Sequence, residues 1–142
     1  METKILPLWA IIVSVVLLLW SLMGLWSFYS SVTMTPAMMA TLPQAQQDAW
    51  NSMPKILWLD FGVATIAGAI GAVGLLLRKA WSVWAYLISL VAIAIQFGWV
   101  FLATPILQTI GPSSAIFPII VFAIGLVAWL LARKWTADGW LN

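Results

Sequence analysis

The segment Pro54–Lys79, PKILWLDFGVATIAGAIGAVGLLLRK, decides the fold class. It is an apolar run of membrane length that closes on a basic pair and carries one carboxylate, Asp60. Read at every third or fourth residue, it gives Asp60, Ala64, Ala67, Gly71, Gly74 and Arg78, with Gly68 in the same small-residue run. Small side chains at that spacing let helix backbones approach closely inside lipid. An ionisable group within a span is costly there and turns toward protein or water. The segment therefore reads as the central helix of a small membrane bundle. Gly68, Gly71 and Gly74 have no preceding strand and no following Lys-Ser, so they are read as helix packing and not as a phosphate loop.

Composition supports a membrane chain. Of 142 residues, 64% are hydrophobic and 7% charged, where soluble domains carry roughly a quarter charged residues. Such a chain cannot be a water-soluble globular domain. A net charge of +2, held in pairs beside apolar runs, does not point to nucleic acid. The absence of Cys and His removes disulfides, thiol nucleophiles, imidazole bases and the usual zinc, haem and iron–sulfur ligands. Four acidic residues in all leave little for hydrolysis or metal catalysis. No catalytic residue, cofactor or metal is expected.

Working outward from the central segment, three further spans emerge. The first, about residues 5–29, is too long for the roughly 7–15-residue core of a signal peptide and lacks a small-x-small cleavage site, so it reads as a retained span. Pro7 is expected in its first turn, and Trp26, Phe28 and Tyr29 cluster at its far end. The central span covers about 56–77. Arg78-Lys79 makes a tight turn into the third span, about 80–103, whose seam runs Ser82, Ala85, Ser89, Ala92, Gln96, Trp99. The fourth covers about 114–132, with Pro118 distorting its first turn. Trp135 and Trp140 after it suggest a tail lying at the membrane interface. Each span suffices to cross a roughly 30 Å core at 1.5 Å per residue. The chain is one membrane domain, residues 1–142.

Two loops join these spans on one side. The first, 30–53, holds two helix starts, Thr35-Pro36 and Pro43, the second with Ala45, Ala49, Trp50 and Met53 near one face. This piece either lies over the bundle mouth or merely tethers two spans. In the second loop, 104–113, Thr104-Pro105 repeats the cap-and-proline start and Gly111-Pro112 is a stop. Lys4, Arg78, Lys79, Arg133 and Lys134 fall on one side of the membrane and Lys55 on the other. The positive-inside rule places both termini in the cytoplasm. The expected fold is an all-α four-helix transmembrane bundle, N-in and C-in, with short extracytoplasmic cap helices in the outer loops.

Counting back from the basic turn, Asp60 and Gln96 reach the same level, roughly 25–27 Å along the axis at 1.5 Å per residue, and Ser21 falls near it. A polar or substrate site of Asp60, Gln96 and Ser21 under the outer loops is one reading. The other is structural: Asp60 reaches the headgroups or Lys55, and Gln96 makes one interhelical bond. Most Trp residues sit near predicted interfaces; Trp20 and Trp58 are exceptions.

The block Thr41-Leu42-Pro43-x-Ala45-Gln46, then Trp50, Met53-Pro54 and a Gly-rich helix ending Leu75-Leu76-Leu77-Arg78-Lys79-x-Trp81, resembles a family of small bacterial four-span membrane proteins, often labelled "sugar transporter". The resemblance covers roughly residues 38–101. It implies the bundle and a bacterial inner membrane, and transfers no functional residue. Small multidrug transporters differ by a carboxylate in the first span, and claudin-like proteins, despite Gly24-Leu25-Trp26, by a cysteine pair. Two roles follow from the sequence. One is a non-catalytic accessory subunit or homo-oligomer partnered by the bilayer and by other membrane subunits. The other is a small-solute transporter using Asp60 and Gln96.

Overall fold

The computed structural model describes residues 5–103, 108 and 111–142, without the side chains of Ala45, Ala49, Pro112 and Ser114. Four long apolar helices dominate it: α1 (Leu8–Val32), α4 (Lys55–Leu76), α5 (Ser82–Ala103) and α6 (Ile116–Ala137). Between α1 and α4 lie two short ones, α2 (Pro36–Met39) and α3 (Gln44–Ser52). A 3-10 turn, Pro112–Ala115, leads into α6, and no strand occurs among the described residues.

Local chemistry sets the ends. Pro7 and Pro54 are extended, with ψ of 156° and 152°, and precede α1 and α4 as N-caps. Thr35 Oγ1 accepts from Met38 N at 3.3 Å and caps α2, as Thr-Pro spacing predicts. Helix α1 therefore starts at Leu8 and not at Ile5, and Pro7 stands before its first turn. It also runs past Tyr29 to Val32, because Ser30 and Thr33 hydroxyls donate back to Trp26 O and Tyr29 O at 2.6 and 2.8 Å. The last helix likewise outruns its expected limit at Ala132, reaching Ala137. There Arg133 lies 5.0 Å from the Trp129 ring centre and Lys134 pairs with Asp138 at 3.1 Å. The Thr104-Pro105 start and Lys4 lie outside the described residues.

Both helices that end at the basic side close in Schellman fashion. After α4, Lys79 N donates to Gly74 O at 2.8 Å and Arg78 N to Leu75 O at 3.1 Å. After α6, Trp140 N donates to Trp135 O at 2.8 Å and Gly139 N to Thr136 O at 3.2 Å. The left-handed residue is Gly139, φ 82°, in the second but Arg78, φ 60°, in the first. These two ends are tied together: Asn142 N donates to Arg78 O at 2.9 Å and Arg78 Nε to Trp140 O at 3.3 Å.

The long helices pack antiparallel in chain order, α1 on α4, α4 on α5, α5 on α6, while the α1–α6 side is the loosest. The small-residue seam does the close packing. A Cβ on Gly71 would stand 2.9 Å from the Tyr86 ring, and one on Gly74 2.8 Å from Trp81 and 2.9 Å from Ser82. Ala67, Gly68, Gly71 and Gly74 are buried and Ala64 half-buried. The dense core gathers toward the basic end, where Leu6, Ala10, Leu75, Ala128, Ala132, Trp135 and Leu141 meet. Trp135, expected at the interface, has 0% exposure. It is held edge-on by Trp9, with ring centres 5.9 Å apart, and also touches Trp140. The extension of α6 by a further turn carries it inward.

Outside, Ile12, Val16, Leu19, Ile66, Ile70, Ile88, Val91, Ile119 and Val127 are exposed. An apolar surface that continuous is incompatible with water and suits acyl chains. The protein is a small multi-pass integral membrane protein built as an all-α four-helix bundle.

Candidate ligand-binding cavity

At mid-height each long helix contributes a small residue: Ser21 from α1, Gly68 from α4, Ser89 from α5 and Gly125 from α6. A Cβ on Gly68 would lie 3.3 Å from Ser89 Oγ and 3.8 Å from Ser21 Oγ, while Gly125 faces Leu90 and Ile93. A Cβ at either glycine would already be in tight contact, so this layer brings the helices close, and the space beside it stays unfilled. The result is a cavity of about 260 Å³. Its floor is Leu17, Tyr86 and Ala128, which belong to the dense core. Its walls include the rings of Trp20, Phe61, Phe97 and Phe117 and the polar groups of Ser21, Thr65, Ser89 and Gln96.

The cavity is not fully enclosed. Between α1 and α6 a second hollow, lined by Val16, Leu17, Trp20, Ala123, Ile124 and Val127, shares Leu17, Trp20 and Ile124 with the first. It faces the apolar exterior. Trp20 and Phe117, with ring centres 6.5 Å apart, bridge this gap. Trp20 is thus part of the cavity wall. Trp58, the other tryptophan away from the predicted interfaces, stacks on Phe61 at 6.4 Å and meets Trp50 of α3 edge-on at 5.6 Å, anchoring α3 to α4.

The sequence-derived polar trio divides. Set with its amide nitrogen toward α4, Gln96 donates to Leu57 O at 2.9 Å and to Asp60 Oδ2 at 3.3 Å. The reverse setting would aim its carbonyl at two acceptors, so this one is adopted. The other amide atom lies 3.1 Å from Met53 Sδ, at the end of α3. Asp60 and Gln96 are therefore brought together, and no ion pair joins Asp60 to Lys55 among the described residues. Ser21 does not join them. It stands opposite Gly68, eight residues beyond Asp60 on α4, roughly 12 Å further along at 1.5 Å per residue. Ser21 therefore lies nearer the basic end than Asp60 and Gln96, and not at their level as expected. The first turn of α1 meets the end of α6 and the tail through Trp9.

Gln96 and Ser21 both line the cavity, at different heights; Asp60 stands behind Gln96 and does not line it. The aromatic walls were not legible as a site, because Phe61, Phe97 and Phe117 read as ordinary span residues. Ser89 was visible only as part of the α5 seam. Among the described residues no group of three His, Cys, Asp or Glu side chains converges as a metal site would need. Comparison with protein-family models, with curated proteins and with solved structures gives no match.

Proposed function

We propose that this membrane protein is a non-catalytic binding protein for a small lipophilic molecule, which it takes from the bilayer between α1 and α6. The observation that carries this is the mid-height cavity with its opening toward the apolar exterior. A helix bundle whose task is only to present a docking face gains nothing from a hollow centre, and unfilled volume costs stability in proportion to its size. Mostly apolar walls with a few polar groups are the usual make-up of small-molecule sites. The non-catalytic character rests on composition, which lacks His and Cys.

The orientation is part of the proposal: both termini in the cytoplasm, α2 and α3 on the outer face, and a bacterial inner membrane, as the basic residues and the four-span resemblance suggest. Docking onto a larger membrane complex or a second copy is compatible with it, since the exposed faces of all four spans remain apolar. A solute pathway through Asp60 has less support, because the carboxylate lies outside the cavity wall.

Mild-detergent extraction followed by native mass spectrometry tests this directly. A reproducible low-mass adduct on the chain is expected, released by organic solvent and absent from Val121→Trp, which puts an indole at a lining position on α6. A bare chain accompanied by a stoichiometric protein partner would overturn the binding role and leave the accessory subunit.

A further inference from the structure

Resting on that reading, we infer that the guest is an uncharged lipophile with one hydrocarbon chain, which lies along the helix axes for about ten to twelve carbons. Shape decides this. On α1 the cavity lining runs from Leu17 to Ser27, on α5 from Tyr86 to Phe97 and on α6 from Phe117 to Ala128. Each stretch rises roughly 15 Å at 1.5 Å per residue, so the cavity is a slot and not a chamber. Spread over that height, about 260 Å³ is a bore roughly 4 Å across. Carbon–carbon contact distances of about 3.5–4.0 Å give a methylene chain the same width.

Two counts of its capacity agree. An extended chain advances about 1.2 Å per bond, which sets about twelve carbons in roughly 15 Å. A cavity of about 150 Å³ takes the six carbons of benzene, which sets about ten in 260 Å³. The same atoms folded into fused rings are too short and too broad for such a slot, and leave one end empty.

Depth excludes charge. The hollow between α1 and α6 is bordered by Val16, Leu17 and Trp20 and by Ala123, Ile124 and Val127, at the middle of both helices. A guest entering there passes through the centre of the hydrocarbon, where a charged group is costly. Inside, no charged side chain lines the slot; its polar groups are single ones, Ser21 and Ser27 on α1, Thr65 on α4, Ser89 and Gln96 on α5. They can meet one hydroxyl or ester on the chain and offer no counter-ion.

The test uses the full chain in phosphatidylcholine nanodiscs, titrated by fluorine NMR. The probes are terminally trifluorinated octanol and dodecanol, the matching dodecanesulfonate, and the compact bicycle 6-fluoro-2-naphthol. Empty nanodiscs and two variants that add bulk at lining positions, Val121→Trp and Gly24→Leu, correct for partition into lipid. Gly24 is a safe second choice because its added Cβ would meet Thr65 at 3.5 Å, an ordinary contact. Dodecanol is expected to bind at least about tenfold more tightly than octanol, since its further carbons fill roughly 90 Å³ that the shorter chain leaves empty. The naphthol and the sulfonate are expected to bind more weakly than dodecanol. A naphthol that matches dodecanol, or no gain from octanol to dodecanol, overturns the chain inference, and a sulfonate that matches dodecanol overturns the exclusion of charge. In each of those cases binding above the two variants leaves the cavity's role standing. No binding of any probe above the variants overturns both.

Discussion

Arg78 holds φ at 60°, a left-handed conformation that costs an L-residue about 1–2 kcal/mol and glycine almost nothing. What keeps arginine there is visible: its carbonyl and its Nε both bind the tail, at Asn142 and Trp140. Arg78→Ala keeps the strain and loses the side-chain bond, whereas Arg78→Gly loses the bond and the strain together. The alanine variant is expected to melt below the glycine variant by about 1 kcal/mol, read as apparent Tm in detergent. The reverse order would mean the turn carries no strain. At Asp60 the pairing with Gln96 predicts a different contrast. Asp60→Asn keeps a partner for the amide and leaves folding nearly unchanged, while Gln96→Leu strips the carboxylate of its donor and destabilises by about 1–3 kcal/mol. Thermal stability of the purified variants checks both. This pair was legible from sequence because two counts from one turn cancel most of the error. Ser21, on a helix that does not leave that turn, was not.

Among elements, the α4–α5 contact is the most demanding, and its glycines differ in what they protect. Gly71→Ala drives a Cβ to 2.9 Å from the buried Tyr86 ring and must push the helices apart; Gly68→Ala meets two hydroxyls, Ser89 at 3.3 Å and Ser21 at 3.8 Å. Gly98, with nothing within 4 Å of its would-be Cβ, is expected to gain up to about 1 kcal/mol on substitution by alanine. Apparent Tm should thus rank Gly98→Ala above the parent, Gly68→Ala slightly below it and Gly71→Ala far lower. A flat series would show that the helices slide freely past one another. The seam itself was readable in the sequence, since periodicity needs only one helix. Which glycine faces a ring and which faces open space depends on the register of two helices, and no single-helix pattern contains that. Trp135 makes the same point: a tryptophan after a basic pair looks like an interfacial anchor until Trp9 and Trp140 close over it.

For the whole molecule, hydropathy and basic residues were enough to foresee four spans and their alternation, because lipid imposes length and composition on each span separately. The hollow centre was not foreseeable, since it lies beside a layer where small residues of four helices coincide in height. Its lateral opening makes a prediction of its own. The chain has no native cysteine, so Trp20→Cys/Phe117→Cys can be bridged with a short bifunctional reagent without side reactions. Bridging is expected to slow both uptake and release of the low-mass adduct, while the unbridged pair exchanges freely; unchanged exchange rates would place the entrance elsewhere. The layer of Ser21, Gly68, Ser89 and Gly125 also has a practical consequence. Its two glycines already stand 3.3 Å from their neighbours, so the cavity's outline is redrawn by adding atoms at Ser21, at Ser89 and at Gly24, whose added Cβ would make an ordinary 3.5 Å contact, while the dense basic end holds the frame. Those positions are a compact starting library for giving this small bundle a guest of choice.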